Sequence, residues 1–149
     1  MSKRRIPKEV RELVAERAGR CCEYCFTQKR FCTDSISVDH IHPRVAGGAD
    51  APSNLAYCCL GCNNIKHRAV SAVDPTLGMP VELFHPRLDA WTDHFTWSPD
   101  FLKMIGKTPK GRATIDRLQL NREGVVNLRE ALVLTGRHPP RRPIAKKPR

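Results

Sequence analysis

The chain has 149 residues and a mass of 16.9 kDa, enough for one hydrophobic core but not for two independent ones. Its 26 Lys and Arg against 15 Asp and Glu give a formal charge of +11, which favours a polyanionic partner over an acidic one. No apolar run approaches the roughly 18 residues that span a bilayer, and MSKRRIPKEV offers no apolar segment for export, so a cytoplasmic protein with no membrane partner is expected.

Residues 1–6 read as a basic N-terminal arm. From 7 to 18 the apolar residues Val10, Leu13, Val14 and Ala18 recur at three- and four-residue intervals, which predicts an amphipathic helix stopped by Gly19 and packed on the first cysteine pair. Residues 34–42 alternate polar and apolar around Ile36 and Val38 and read as a strand ending at Pro43. The stretch AGGADAPS is a loop by composition; 54–59 reads as a second strand, and 60–70 as a helix with Cys62 and Asn63 in its first turn.

Beyond Asp74 the segments still read as folded. Pro75, Gly78 and Pro80 mark a turn, and Trp91, Phe95 and Trp97 are expected to cover the core. Thr108-Pro109 predicts an N-cap and first turn of a short helix toward Leu118, and a last helix from about Arg122 stops at Gly136. The organisation is thus an arm at 1–6, a core at 7–72, an extension at 73–136 packed on it, and a disordered basic tail at 137–149. Nine of the eleven net charges lie in residues 1–5 and 137–149, so the body between them is nearly balanced.

Seven cysteines in a chain without an export signal point to metal ligation rather than disulfides. Six of them cluster. Cys22 and Cys25, like Cys59 and Cys62, have C-x2-C spacing, and two such turns supply the four thiolates of a structural Zn²⁺ site. Cys21 and Cys58 offer an alternative register; Cys32 reads as an ordinary thiol. The 33 residues between the pairs exceed the usual ribbon spacing, so the insertion must carry something else.

It carries Asp39-His40, then His42, Arg44, Gly47-Gly48 and Asn54, and the second pair runs into Asn63 and Lys66. Carboxylate and amide oxygens suit a hydrated Mg²⁺ on phosphate, and a neutral imidazole takes a proton from water near neutral pH. Together they predict phosphodiester cleavage, with a twist or bulge letting Asp39 and His40 reach one phosphate. His85, Asp89, Asp93 and His94 have metal-capable chemistry, but read as scaffold.

CEYC at 22–25, VDHIHPRVAGG at 38–48 and NLAYCCLGCNNIK at 54–66 resemble the zinc-knuckle branch of the HNH endonucleases, and the similarity extends through DPTLGMPVELFHPRLDAWTDHFTW to about residue 135. The resemblance implies an α+β fold: a small ββα-metal core with a four-Cys zinc knuckle pair, an N-terminal helix and a C-terminal mixed strand and helix extension. It implies that His40 is the general base, that Asp39 and Asn63 hold the catalytic ion, and that Asn54 buttresses the loop carrying the base. Asn63 stands where the family name has its last His, which favours Mg²⁺ or Mn²⁺ over Zn²⁺. Lys66, Arg44 and His42 are expected to meet substrate phosphate. The expected activity is hydrolysis of DNA, double-stranded in the first instance. The competing readings are a noncatalytic zinc-ribbon module that binds nucleic acid, and a nuclease preferring RNA or single strands.

Overall fold

The computed structural model describes residues 4–141. Helix α1 (Lys8–Arg17) buries Val14 and Ala15, which join Ile6, Ala18, Leu55 and Tyr57 in one apolar cluster. It therefore packs on strand β2 (Leu55–Cys59) rather than on the first cysteine pair. The reason is that β2 is buried along its whole length: alternate residues feed two clusters, Leu55 and Tyr57 toward α1, Ala56 and Cys58 toward the main core.

Strand β1 (Ile36–His40) pairs antiparallel with β2, with Ile36 opposite Cys59 and His40 opposite Leu55 in unbroken register. The expected bulge is absent. Asp39 and His40 therefore project to opposite faces of the hairpin. Helix α2 (Leu60–Lys66) follows β2 without a loop, because the Cys59 sulfur caps it by accepting the Cys62 N–H. It ends at Lys66, short of the expected 70, where His67 takes a φ of 51° and breaks the helical path.

The extension holds two small antiparallel hairpins, β3 (Ser71–Val73) with β4 (Pro80–Glu82), and β5 (Phe95–Trp97) with β6 (Met104–Gly106). Around them lie α3 (Trp91–His94), α4 (Pro109–Leu118) and α5 (Glu123–Leu134). Thr108 caps α4 as its sequence predicts, accepting the Gly111 N–H at 3.1 Å, with Pro109 in the first turn. The architecture is α+β, and Leu83, Met104, Leu118, Leu120 and Val125 of the extension share one apolar cluster with Cys22, Cys25, Cys59 and Cys62. Phe26 in the first cysteine turn meets Trp91 at 5.1 Å and Trp97 at 5.7 Å, so these aromatics cover the core.

The chain is packed two residues beyond the expected end of the extension. The Arg137 carbonyl accepts the Gln28 side-chain amide at 2.6 Å, and His138 lies edge-on against Trp97 with its Nε2 2.9 Å from the Phe101 carbonyl. An indole face and a free carbonyl hold what composition alone reads as tail. Residues 1–3 of the arm and 142–149 of the tail lie outside the described residues. No helix among the described residues is long and apolar enough to cross a membrane.

Candidate active site

Cys22, Cys25, Cys59 and Cys62 are buried, and their sulfurs all lie within 4.8 Å of one another. Each C-x2-C turn folds its second amide back on its first sulfur, Cys25 N–H to Cys22 at 3.5 Å and Cys62 N–H to Cys59 at 3.4 Å. This is a four-sulfur arrangement able to hold a tetrahedral ion. The alternative ligands stand outside the group of four: the Cys21 sulfur meets the Gly19 carbonyl, and that of Cys58 meets the Cys59 carbonyl as well as the Cys22 thiol. Cys32 stands outside, its thiol pushed up to about 11 by burial. Spacing alone does not reveal Arg122, whose guanidinium lies 3.5 Å from the Cys62 sulfur and 3.7 Å from that of Cys59. A Cβ at Gly61 would stand 2.7 Å from Arg122 Nη2, so a larger residue there would displace the guanidinium from the sulfurs.

On the face of β1 that meets α2, Ser37 and Asp39 are two residues apart and contact residues one helical turn apart. Asn63 donates its side-chain N–H to Ser37 Oγ at 3.0 Å, and Lys66 Nζ lies 2.9 Å from Asp39 Oδ2. The Tyr24 hydroxyl donates to the same Asp39 oxygen at 3.0 Å. Asp39 and Lys66 are 4% and 2% exposed, so this is a buried ion pair, and Lys66 also reaches the His40 and Ile41 carbonyls at 3.4 Å. The sequence predicts that Lys66 meets substrate phosphate; instead it is turned into the core onto Asp39, because the buried carboxylate needs its charge. Burial pushes the Asp39 carboxyl above the ordinary range, against the opposing pull of Lys66 and Tyr24.

His40 closes the other face. Its Nε2 lies 2.8 Å from Asp50 Oδ1, and Arg44 Nε donates to the same oxygen at 2.7 Å. Arg4 Nε approaches Asp50 Oδ2 at 3.3 Å, and its carbonyl accepts from Arg44. The Arg44 and His40 hydrogen bonds, with Arg4 behind them, hold the Asp50 carboxyl well below the usual carboxylate range. Asp50 is a residue that sequence reasoning missed; the available signal was an acid ten positions after His40 and two after Gly48.

Asn54 ties that loop at both ends. Its Oδ1 accepts the His42 N–H at 2.9 Å, and its Nδ2 donates to the His42 and Ala49 carbonyls at 2.9 and 2.8 Å. Gly48 is obligatory in the same turn, since a Cβ there would fall 1.8 Å from the His42 carbonyl oxygen. His42 is exposed and turns its Nε2 to the Ala46 carbonyl at 3.0 Å.

The metal-capable group of the extension is scaffold. His85 Nδ1 accepts the Arg87 N–H, Asp89 accepts the His85 N–H and pairs with Lys110, and His94 meets Thr108 at 2.7 Å. Among the described residues, the four cysteines form the one His/Cys/Asp/Glu group whose ligand atoms converge on a point.

Residues 22–69, from the first cysteine of the four-sulfur cluster through α2, match the family model described as HNH endonuclease. No curated protein and no solved structure matches the chain.

Proposed function

Taking residues 22–69 as an HNH endonuclease domain, we propose that the protein hydrolyses phosphodiester bonds of DNA, with His40 as general base. The observation that carries this reading is the 2.8 Å contact of His40 Nε2 with Asp50, whose carboxyl is held low by its hydrogen bonds to Arg44 and His40. With Asp50 accepting Nε2–H, Nδ1 is left as the ring's proton acceptor. His40 then takes a proton from water, the hydroxide attacks phosphorus, the bond to the 3′ oxygen breaks, and that oxygen leaves with a proton from solvent.

Arg44 lies beside this pair and is suited to a phosphate oxygen as well as to Asp50. His42, exposed at the start of the same loop, extends the phosphate-facing rim. Asn54 holds the loop in shape through His42 and Ala49. By the family resemblance Asp39 and Asn63 would hold Mg²⁺ or Mn²⁺, which when bound supplies positive charge to the phosphate; because Asp39 is buried against Lys66 on the face of β1 opposite His40, an ion serving the same phosphate as His40 requires that pair to open. Lys66 keeps the buried Asp39 neutralised. The four cysteines would hold Zn²⁺ as a structural ion, joining the two knuckles to the extension through Arg122.

Nicking of supercoiled plasmid separates this reading from its rivals. It requires conversion to the open-circular form with Mg²⁺ or Mn²⁺, arrest by EDTA and recovery on adding Mg²⁺ back. Binding to DNA without nicking under any of these ions would leave a noncatalytic zinc module, and cleavage of RNA or single strands alone would transfer the activity to those substrates.

A further inference from the structure

The charge of the body is nearly balanced overall but not locally. Two adjoining hollows, of about 550 and 360 Å³, share the walls Gly19, Cys21, Gln28 and Arg30. The first adds Arg20 and Lys29, the second Arg137 and Arg141, so five cations from three separate stretches of chain edge one concave surface. All five are exposed. Arg20 reaches Glu12 at 3.4 Å across solvent, a weak pair, and Arg30 lies over the Phe31 ring at 4.6 Å. Among the described residues, Lys29, Arg30, Arg137 and Arg141 have no acidic partner within 4.0 Å.

Position reinforces composition. The chain is fastened here by His138 against Trp97 and by Gln28 on the Arg137 carbonyl, so Arg137 and Arg141 are held beside the first cysteine turn. The sequence that follows adds Arg142, Lys146, Lys147 and Arg149 and no acid. Five like charges brought together, four of them with no acidic partner among the described residues, repel one another, and a polyanion relieves that repulsion. None of the five belongs to the His40 loop or to the buried Asp39 pair.

We infer that the surface formed by Arg20, Lys29, Arg30, Arg137 and Arg141 is a second contact for the phosphate backbone of the substrate nucleic acid, separate from the His40 site. It rests on the nucleic-acid reading proposed above. Its contribution is sequence-independent affinity, and it acts on binding while the chemistry stays at His40.

The test is duplex DNA binding by fluorescence anisotropy across a salt series, with the full chain carrying Arg20→Gln, Arg30→Gln and Arg137→Gln. Three lost phosphate contacts reduce the slope of log K against log salt by about 2.7. A control with Lys8→Gln, Arg11→Gln and Lys103→Gln, which removes the same charge from elsewhere on the surface, keeps the wild-type slope. Nicking at saturating DNA stays within about twofold of wild type for the first variant. A wild-type slope in that variant, or an equal loss in the control, overturns the surface while leaving the nuclease reading in place. A wild-type protein that binds no DNA at any salt overturns both.

Discussion

His40 Nε2 and Arg44 Nε converge on a single oxygen of Asp50, at 2.8 and 2.7 Å. A carboxylate shared in this way fixes the plane and the tautomer of the imidazole. Replacing Asp50 with Asn keeps the shape and removes the charge, and is expected to lower the nicking rate by roughly 10- to 100-fold with little change in KM. Asp50→Glu is expected to recover part of the loss. Single-turnover kinetics on plasmid check this, and a wild-type rate for Asp50→Asn would remove Asp50 from the account.

Lys66→Met leaves Asp39 buried without its cation and should cost about 3–5 kcal/mol of stability, measured by urea denaturation. Adding Asp39→Asn to that variant removes the stranded charge and should recover most of the loss. If Lys66 served mainly to bind phosphate, Lys66→Met would instead weaken DNA binding with an unchanged denaturation midpoint.

Cys59→Ser combined with Cys62→Ser removes half of the four-sulfur cluster, and the melting transition should be lost or greatly lowered. Arg122 is a subtler partner. Four thiolates on Zn²⁺ leave a net negative cluster, and its guanidinium lies within 3.5 Å of Cys62. Arg122→Gln should accelerate zinc release to a chromogenic chelator roughly tenfold while the folded protein persists. An unchanged release rate would mean that Arg122 only packs there.

Acid should destabilise the fold through Asp74, a fully buried carboxylate that takes Arg112 on both oxygens at 3.0 and 2.8 Å. The Arg112 hydrogen bonds hold its carboxyl below the ordinary value, so the stability it contributes is present above the unfolded value of about 4 and is lost as pH falls through the lower folded value. The melting temperature of the wild type should therefore fall on acidification below about pH 4. Asp74→Asn should melt lower at pH 7 and show a shallower acid limb; parallel limbs would assign the acid loss to other groups.

What was legible in the sequence was local. The C-x2-C spacing of Cys22, Cys25, Cys59 and Cys62 specified four converging sulfurs, Thr108-Pro109 specified the start of α4, and Asp39-His40, Asn54 and Asn63 stood out by their chemistry. What was hidden depends on how distant pieces meet. Asp50 reads as a turn residue in AGGADAPS until the Gly48 turn folds back on His42 and brings it to His40. Lys66 reads as a phosphate ligand until α2 lies along β1 and turns it onto Asp39, 27 positions away. The unbroken register of β1 and β2 likewise divides Asp39 from His40, where the shared phosphate had suggested a bulge. Arg122, 60 residues from Cys62, has no local signature at all.

The role of His40 as the base of a phosphodiester hydrolase is tested most directly by His40→Ala. Plasmid nicking with Mg²⁺ should fall by about 10²- to 10⁴-fold, with melting temperature and DNA affinity close to wild type. Nicking at the wild-type rate by the folded His40→Ala protein would contradict it.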